Sequence, residues 1–148
     1  MNFLGFFCMY YQKEISLKPF ERGFHLISDI INKSINPWMN DIETGLLHIF
    51  IKHTSASIII NENADETVRQ DMNSFFNKIV PENESYYTHT YEGPDDIPAH
   101  IKSSIIGSSI TIPITNGKLN MGLWQGVYLC EHRNFGGSRT LVLTIIGG

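Results

Sequence analysis

Between residues 13 and 18 polar and apolar positions alternate, with Ile15 and Leu17 on one side and Glu14, Ser16 and Lys18 on the other, the pattern of a strand with one wet face. Beyond Pro19 and Gly23 the period lengthens. Ile27, Ile30, Ile31 and Ser34 recur at helical spacing and predict an amphipathic helix over 24–35, which Pro37 ends or kinks, leaving Trp38 and Met39 to pack near its end. A strongly apolar strand follows over 46–53, in which Leu47, Ile49, Ile51 and His53 share a face, and the β-branched run 58–60 predicts a second, buried strand. Asn61, Glu62, Asn63 and Asp65 supply capping side chains for a helix whose Val68, Met72, Phe75, Phe76 and Ile79 line one side, until Pro81 closes it.

A short helix is expected after Asp95 or Asp96 as N-cap, with Pro98 in its first turn and Ile97, Ile101 and Ile105 as the buried stripe. Asp96 and His100, four apart, share a face of it beside that stripe. Gly107 ends the helix, 109–115 is a strand, and Asn116-Gly117 is the type I′ turn of a hairpin whose return strand covers 118–122. Strands over 127–131 and 139–146, separated by the Gly-rich turn 134–138, complete the chain. Strand, helix, two strands, two helices and four strands predict an α+β protein with a largely antiparallel sheet, sandwich or roll-like, and about three helices.

Composition changes this picture little. The 148 residues suffice for one domain over 1–148, with 42% hydrophobic and 18% charged residues as in soluble globular proteins. A net charge of −4 without a Lys/Arg cluster argues against nucleic acid as a partner. Residues 1–11 read as an N-terminal arm or strand, because this apolar run has neither the basic start of a signal peptide nor the length of a membrane span. The expectation is a cytoplasmic protein with no membrane partner. Cys8 and Cys130, the only cysteines, form no metal-binding or redox spacing.

The candidate chemistry gathers at 89–100, where His89 and His100 enclose Glu92, Asp95 and Asp96. A polar loop leading into a helix would also use Asp and Pro, so this segment alone decides nothing. Of six histidines, His25, His48 and His132 read as structural or exposed, whereas His53, His89 and His100 stand at element ends beside polar neighbours. Three imidazoles suit a divalent, zinc-like ion with an open position, and nearby carboxylates could orient the ligands or move protons. No Walker loop, Gly-x-Gly-x-x-Gly or nucleophile elbow occurs, and Gly136-Gly137-Ser138-Arg139 reads as a tight turn before it reads as an anion cradle.

Taken in order, His53-Thr54-Ser55-Ala56-Ser57, Asn61-Glu62-Asn63-Ala64-Asp65, His89 with 92–100, Gly122-Leu123-Trp124-Gln125-Gly126 and Glu131-His132-Arg133 resemble the YjbQ-like family. That resemblance implies the YjbQ-like fold, a homotrimer, and the activity associated with the family, secondary thiamine-phosphate synthase. Such an enzyme joins an aminopyrimidine methyl diphosphate to a thiazole phosphate and releases pyrophosphate. It also implies that His53, His89 and His100 form the metal or active-site cluster. The roles expected alongside are Asp96 and Glu131 as catalytic groups that orient ligands or shuttle protons, and Ser55, Gln125 and Arg139 as contacts to an anionic substrate, a small phosphorylated metabolite. Magnesium is the ion if the synthase reaction is the physiological one. A metal-dependent hydrolase using Asp96 or Glu131 as base fits the same residues, as does a non-catalytic trimer that binds a metal or small ligand.

Overall fold

Two antiparallel sheets and three helices make up residues 7–148, the part of the chain that the computed structural model describes. In the first sheet β1 (Met9–Leu17), β8 (Arg139–Gly147), β3 (Thr44–Ile51), β5 (Ser109–Thr115) and β6 (Lys118–Leu119) lie side by side in that order. The second has β7 (Gln125–Glu131) between β2 (Gly23–Leu26) and β4 (Ala56–Glu62). The helices are α1 (Ser28–Met39), α2 (Glu66–Ile79) and α3 (Asp96–Ile106). This is the α+β class, with the antiparallel framework and three helices that the patterning predicts.

Alternation along the strands builds the core. Leu47, Ile49 and Ile51 of β3, Leu141, Leu143 and Ile145 of β8, and Ile112 and Ile114 of β5 all point inward and exclude solvent almost completely. Register makes these neighbours: Ile49 pairs with Leu143, and Leu47 with both Ile145 and Ile112. From the second sheet Ala56, Ile58, Val127 and Leu129 meet them, and α1 adds Ile31, Ile35 and Met39. β7 is buried on both faces, since Tyr128 and Cys130 turn the other way and pack with Phe24, Met72, Phe76 and Ile106. Burial also pushes the Cys130 thiol far above its ordinary pKa, which makes it inert.

Four predicted elements need correction. Residues 24–26 are strand β2, paired with β7, and α1 starts only at Ser28 and runs past Pro37 to Met39. Pro37 falls in the last turn, where it removes one hydrogen bond to the preceding turn, and the helix stops two residues later. In α2 the predicted stripe is only half covered, with Met72 and Phe76 packed against the second sheet while Phe75 and Ile79 stay exposed. The return strand of the Asn116-Gly117 hairpin shrinks to the two residues of β6, although both turn residues take the positive φ a type I′ turn requires, 50° and 71°.

The correction in α3 matters most. Its buried positions are Asp96, Pro98, Ala99, Lys102 and Ser103, while Ile105 of the predicted apolar stripe is exposed. The helix turns polar side chains inward. Of the expected N-terminal arm or strand, residues 9–11 begin β1 and residues 1–6 lie outside the described part. Among the described residues no helix is long and apolar enough to cross a membrane.

Candidate metal centre

Asp96 opens α3 and is 1% exposed, a carboxylate that the fold has taken out of water. His100 stands one turn later on the same helix, with Nε2 3.4 Å from Asp96 Oδ1. His89, in the preceding loop, brings Nε2 to 2.8 Å from Asp96 Oδ2, and the two imidazole rings meet edge to face with centroids 5.4 Å apart. One carboxylate oxygen and one nitrogen from each histidine lie within 4.8 Å of one another. The helix carries two members, and the loop brings the third.

Hydrogen bonding fixes what these atoms can do. Nδ1 of His100 is 3.0 Å from the Thr54 carbonyl, which can only accept, so Nδ1 carries the proton. In the neutral ring the Nε2 lone pair then faces Asp96, an acceptor against an acceptor. Only a proton or a metal ion between them turns that contact attractive. Asp96 Oδ2 is buried and receives no hydrogen bond, despite its closeness to His89 Nε2. A buried carboxylate oxygen without a partner is costly unless something else satisfies it. Two imidazole nitrogens and a carboxylate oxygen, with one histidine anchored through its far nitrogen to a backbone carbonyl, are the donor set and outer-shell arrangement that bind a divalent transition ion.

Arg133 supplies the countercharge. Its Nη1 donates to Asp96 Oδ1 at 2.6 Å, its Nε to Asp95 Oδ2 at 3.0 Å and its Nη2 to the Glu92 carbonyl at 3.0 Å. The Asn134 backbone N–H adds a bond to Asp95 Oδ2 at 2.9 Å. Burial by itself raises both carboxyls, but Arg133, His100 and the side chains of Glu92 and His89 at Asp96, and Asn134 N–H with Arg133 at Asp95, outweigh it and hold both below the usual carboxylate range. The sequence offered Asp95 as a helix cap or an oxygen donor, and Arg133 only as part of the Glu131-His132-Arg133 motif, with no link between the two. The one local signal was a charged residue directly after the buried end of β7; the partners stand 37 and 38 residues away.

None of the other expected site residues is a member of this cluster. His53, beyond the end of β3, accepts a hydrogen bond at Nε2 from the Thr140 N–H at 2.8 Å. Burial, Arg139 and Lys52 lower its pKa, so it is a neutral ring with its proton on Nδ1, and Asp96 stands in the cluster where the sequence pointed to His53. Glu131 and Arg139, expected at the substrate, face each other instead. Arg139 donates Nε to Oε2 at 2.7 Å and Nη2 to Oε1 at 2.6 Å, both side chains being almost wholly buried, and Nη2 also reaches Ser55 Oγ at 3.0 Å. With its acceptors committed to Arg139 and to the Arg133 N–H at 3.0 Å, Glu131 is not a free base. Gly136 lets the loop pass, since a Cβ there would stand 2.5 Å from Glu131 Oε1. Gln125 lies at the opposite end of β7 from Glu131, with Oε1 turned back to the Gly122 N–H at 2.7 Å.

Beside His89 opens a cavity of about 340 Å³, walled by Asn83, Glu84, Tyr87 and Pro94 among others. A second, of about 470 Å³, is lined by His53, Thr54, Ser103 and Ser104.

Known proteins share this chain's sequence and fold. The family model described as UPF0047 protein YjbQ-like matches residues 13–148. The UPF0047 protein YjbQ of Salmonella typhimurium is 50% identical over 139 residues, covering 94% of this chain and 99% of that protein. The UPF0047 protein YugU of Bacillus subtilis is 42% identical over 99 residues, 67% of this chain and 70% of that protein. Among solved structures, an uncharacterized conserved protein of the yjbq/upf0047 family from Clostridium acetobutylicum superposes with a TM-score of 0.76 at 36% identity, over 90% of this chain and 98% of that one. A YbjQ-like protein from Sulfolobus solfataricus P2 reaches 0.84 over 96% and 100% of the two chains, and its 22% identity makes that a likeness of fold. With a family match running from the middle of β1 to the last residue and a relative half identical along nearly its whole length, the chain belongs to the UPF0047/YjbQ-like family.

Proposed function

We propose that His89, Asp96 and His100 hold a zinc-like divalent ion, and that the protein is an enzyme that uses it to hydrolyse a small phosphorylated or cyclic metabolite. One observation carries this reading: a buried carboxylate oxygen without a hydrogen bond, beside two imidazoles of which one has its free nitrogen aimed at the same carboxylate. An ion of this class supplies Lewis acidity at neutral pH. The protein's own part is to hold and orient. Thr54 fixes the His100 tautomer, Arg133 keeps Asp96 ionised, and His89, with 53% of its side chain exposed, leaves the centre open toward solvent. The cavity beside it falls within the size range of small-molecule sites.

The family resemblance favours a second reading, the thiamine-phosphate synthase reaction. Against it stands the donor set, because magnesium assisting pyrophosphate departure prefers oxygens, and this cluster offers two nitrogens to one oxygen. The proposal extends to a homotrimer, as that resemblance implies; a single-chain mass in light scattering sinks this part.

Metal analysis of the wild-type protein against His89→Ala and His100→Ala tests the centre. A stoichiometric transition metal lost in both variants supports it, and metal content unchanged in both removes it. Turnover is then sought with phosphate esters, with lactones, and with the two thiamine precursors. Hydrolysis that depends on His100 is the expected result, synthase turnover at a comparable rate favours the second reading, and bound metal without turnover leaves a binding protein.

A further inference from the structure

Arg133 occupies a nest of oxygens. Asp96 Oδ1, Asp95 Oδ2 and the Glu92 carbonyl converge on its guanidinium at 2.6, 3.0 and 3.0 Å. Two carboxylates and a backbone carbonyl are the donor set a hard dication such as Ca²⁺ collects. Here the position is taken by an arginine that cannot lose its charge. Asp96 is thereby divided, with Oδ1 committed to Arg133 and Oδ2 left beside His89.

We propose that Arg133 is the metal-selectivity determinant of the centre: by filling the oxygen nest it denies Ca²⁺ and Mg²⁺ the carboxylate oxygens they need and leaves two imidazole nitrogens with a single oxygen of Asp96. This rests on the reading of His89, Asp96 and His100 as a metal centre. A nitrogen-accepting transition ion binds what remains, and a hard ion does not. Arg133 is delivered to this position from behind. Its backbone N–H donates to Glu131 Oε1 at 3.0 Å, and Glu131 is clamped by Arg139, so the buried pair sets where the guanidinium stands. Part of the nest stays in place without Arg133, because the Asn134 N–H also holds Asp95 and Asp96 is carried on the first turn of α3.

The test is calorimetric titration of the full chain with Ca²⁺ and with Co²⁺, together with the visible spectrum of the Co²⁺ form, in the wild type, Arg133→Met, Arg133→Lys and the double variant Arg133→Met/Asp95→Asn. The wild type is expected to take Co²⁺ with the intense bands of a four-coordinate ion and to ignore Ca²⁺. Arg133→Met is expected to gain Ca²⁺ affinity by about tenfold or more, as the freed oxygens become available. Its Co²⁺ bands weaken as Asp96 Oδ1 joins the ion. Arg133→Lys keeps a charge in the nest and keeps Ca²⁺ out, and adding Asp95→Asn removes the gain. Arg133→Gln replaces Arg133→Met if the latter does not fold by circular dichroism. Ca²⁺ affinity and a Co²⁺ spectrum that do not change in the charge-removing variant overturn the proposal. A wild type that takes up no Co²⁺ overturns the metal centre instead, and the Ca²⁺ titration of Arg133→Met still decides what Arg133 does.

Discussion

Arg133 and Arg139, only six residues apart in sequence, both grip carboxylates, and the surroundings give them opposite meanings. Arg139 and Glu131 form a closed fork in which both Nε and Nη2 meet both carboxylate oxygens, Ser55 takes a further bond, and neither side chain reaches solvent appreciably. Arg133 instead divides itself among Asp95, Asp96 and Glu92, and one oxygen of Asp96 is left without a hydrogen bond. The closed fork has no acceptor left for a ligand. The open one has an unmet need at the spot where two imidazoles converge. Charge and burial are alike at Glu131 and Asp96, each 1% exposed. Completeness of the hydrogen bonding separates a structural ion pair from a candidate centre.

Breaking the closed fork should produce the largest effect. Glu131→Gln or Arg139→Met leaves one charge buried and unpaired, and loss of a partner in such a pair costs about 3–5 kcal/mol. Urea unfolding monitored by circular dichroism measures this. A loss below about 1 kcal/mol, the value of an exposed pair, would show that the fork is not closed as described.

A smaller effect comes from pH, and it separates His132, in the interior near the closed fork, from the carboxylates of the open one. His132 donates or accepts across 2.8 Å with Ser57 inside the protein, and burial, with Lys102, Arg139 and Arg22, lowers its pKa to about 3. The unfolded chain binds that proton near the ordinary histidine value of about 6.5. The folded pKa is the lower one, so the contribution of His132 is complete above about pH 6.5 and declines as pH falls, by roughly 1.4 kcal/mol per unit at most. Asp95 and Asp96 also have lowered values, so their contribution is complete above the ordinary carboxylate value of about 3.9 and is lost only below it. Stability measured between pH 7 and 4.5 should therefore fall, and His132→Asn should flatten the slope. An equal slope in that variant assigns the acid response elsewhere.

The framework was legible in the sequence because alternation and turn chemistry are local. Strands β1, β3, β5 and β8 and the Asn116-Gly117 turn follow from residues that are neighbours in the chain. The pair Asp96 and His100 was legible for the same reason, being one helical turn apart. Patterning failed where burial is polar: Ile97, Ile101 and Ile105 look like the inner face of α3, but the helix buries Asp96, Lys102 and Ser103 because Arg133, Asn77 and the Ala56 carbonyl satisfy them. His53 and His100 looked equivalent by their polar neighbours. What distinguishes them is which ring nitrogen a distant backbone group occupies, the Thr140 N–H at one and the Thr54 carbonyl at the other. No spacing encodes that, and it leaves His53 with its proton on Nδ1 and His100 with a lone pair on Nε2.

Asp96→Asn makes the smallest expected change to stability and the sharpest test of the difference between the forks. The amide oxygen can still accept from Arg133, and the new N–H₂ faces His89 Nε2, which can accept it, so the variant replaces an unmet oxygen with a donor that has a partner. Its cost in metal-free buffer should be only about 1–2 kcal/mol, below that of Glu131→Gln. Added Zn²⁺ or Co²⁺ should then separate the proteins. Binding to the native state stabilises the wild type in proportion to the logarithm of ion concentration over Kd, whereas the variant, without an anionic oxygen at the centre, should show no shift in its melting temperature. If Asp96→Asn destabilises as much as Glu131→Gln and the wild type melts at the same temperature with or without the ion, Asp96 is a second structural carboxylate, and its bare oxygen is a cost the fold bears without return.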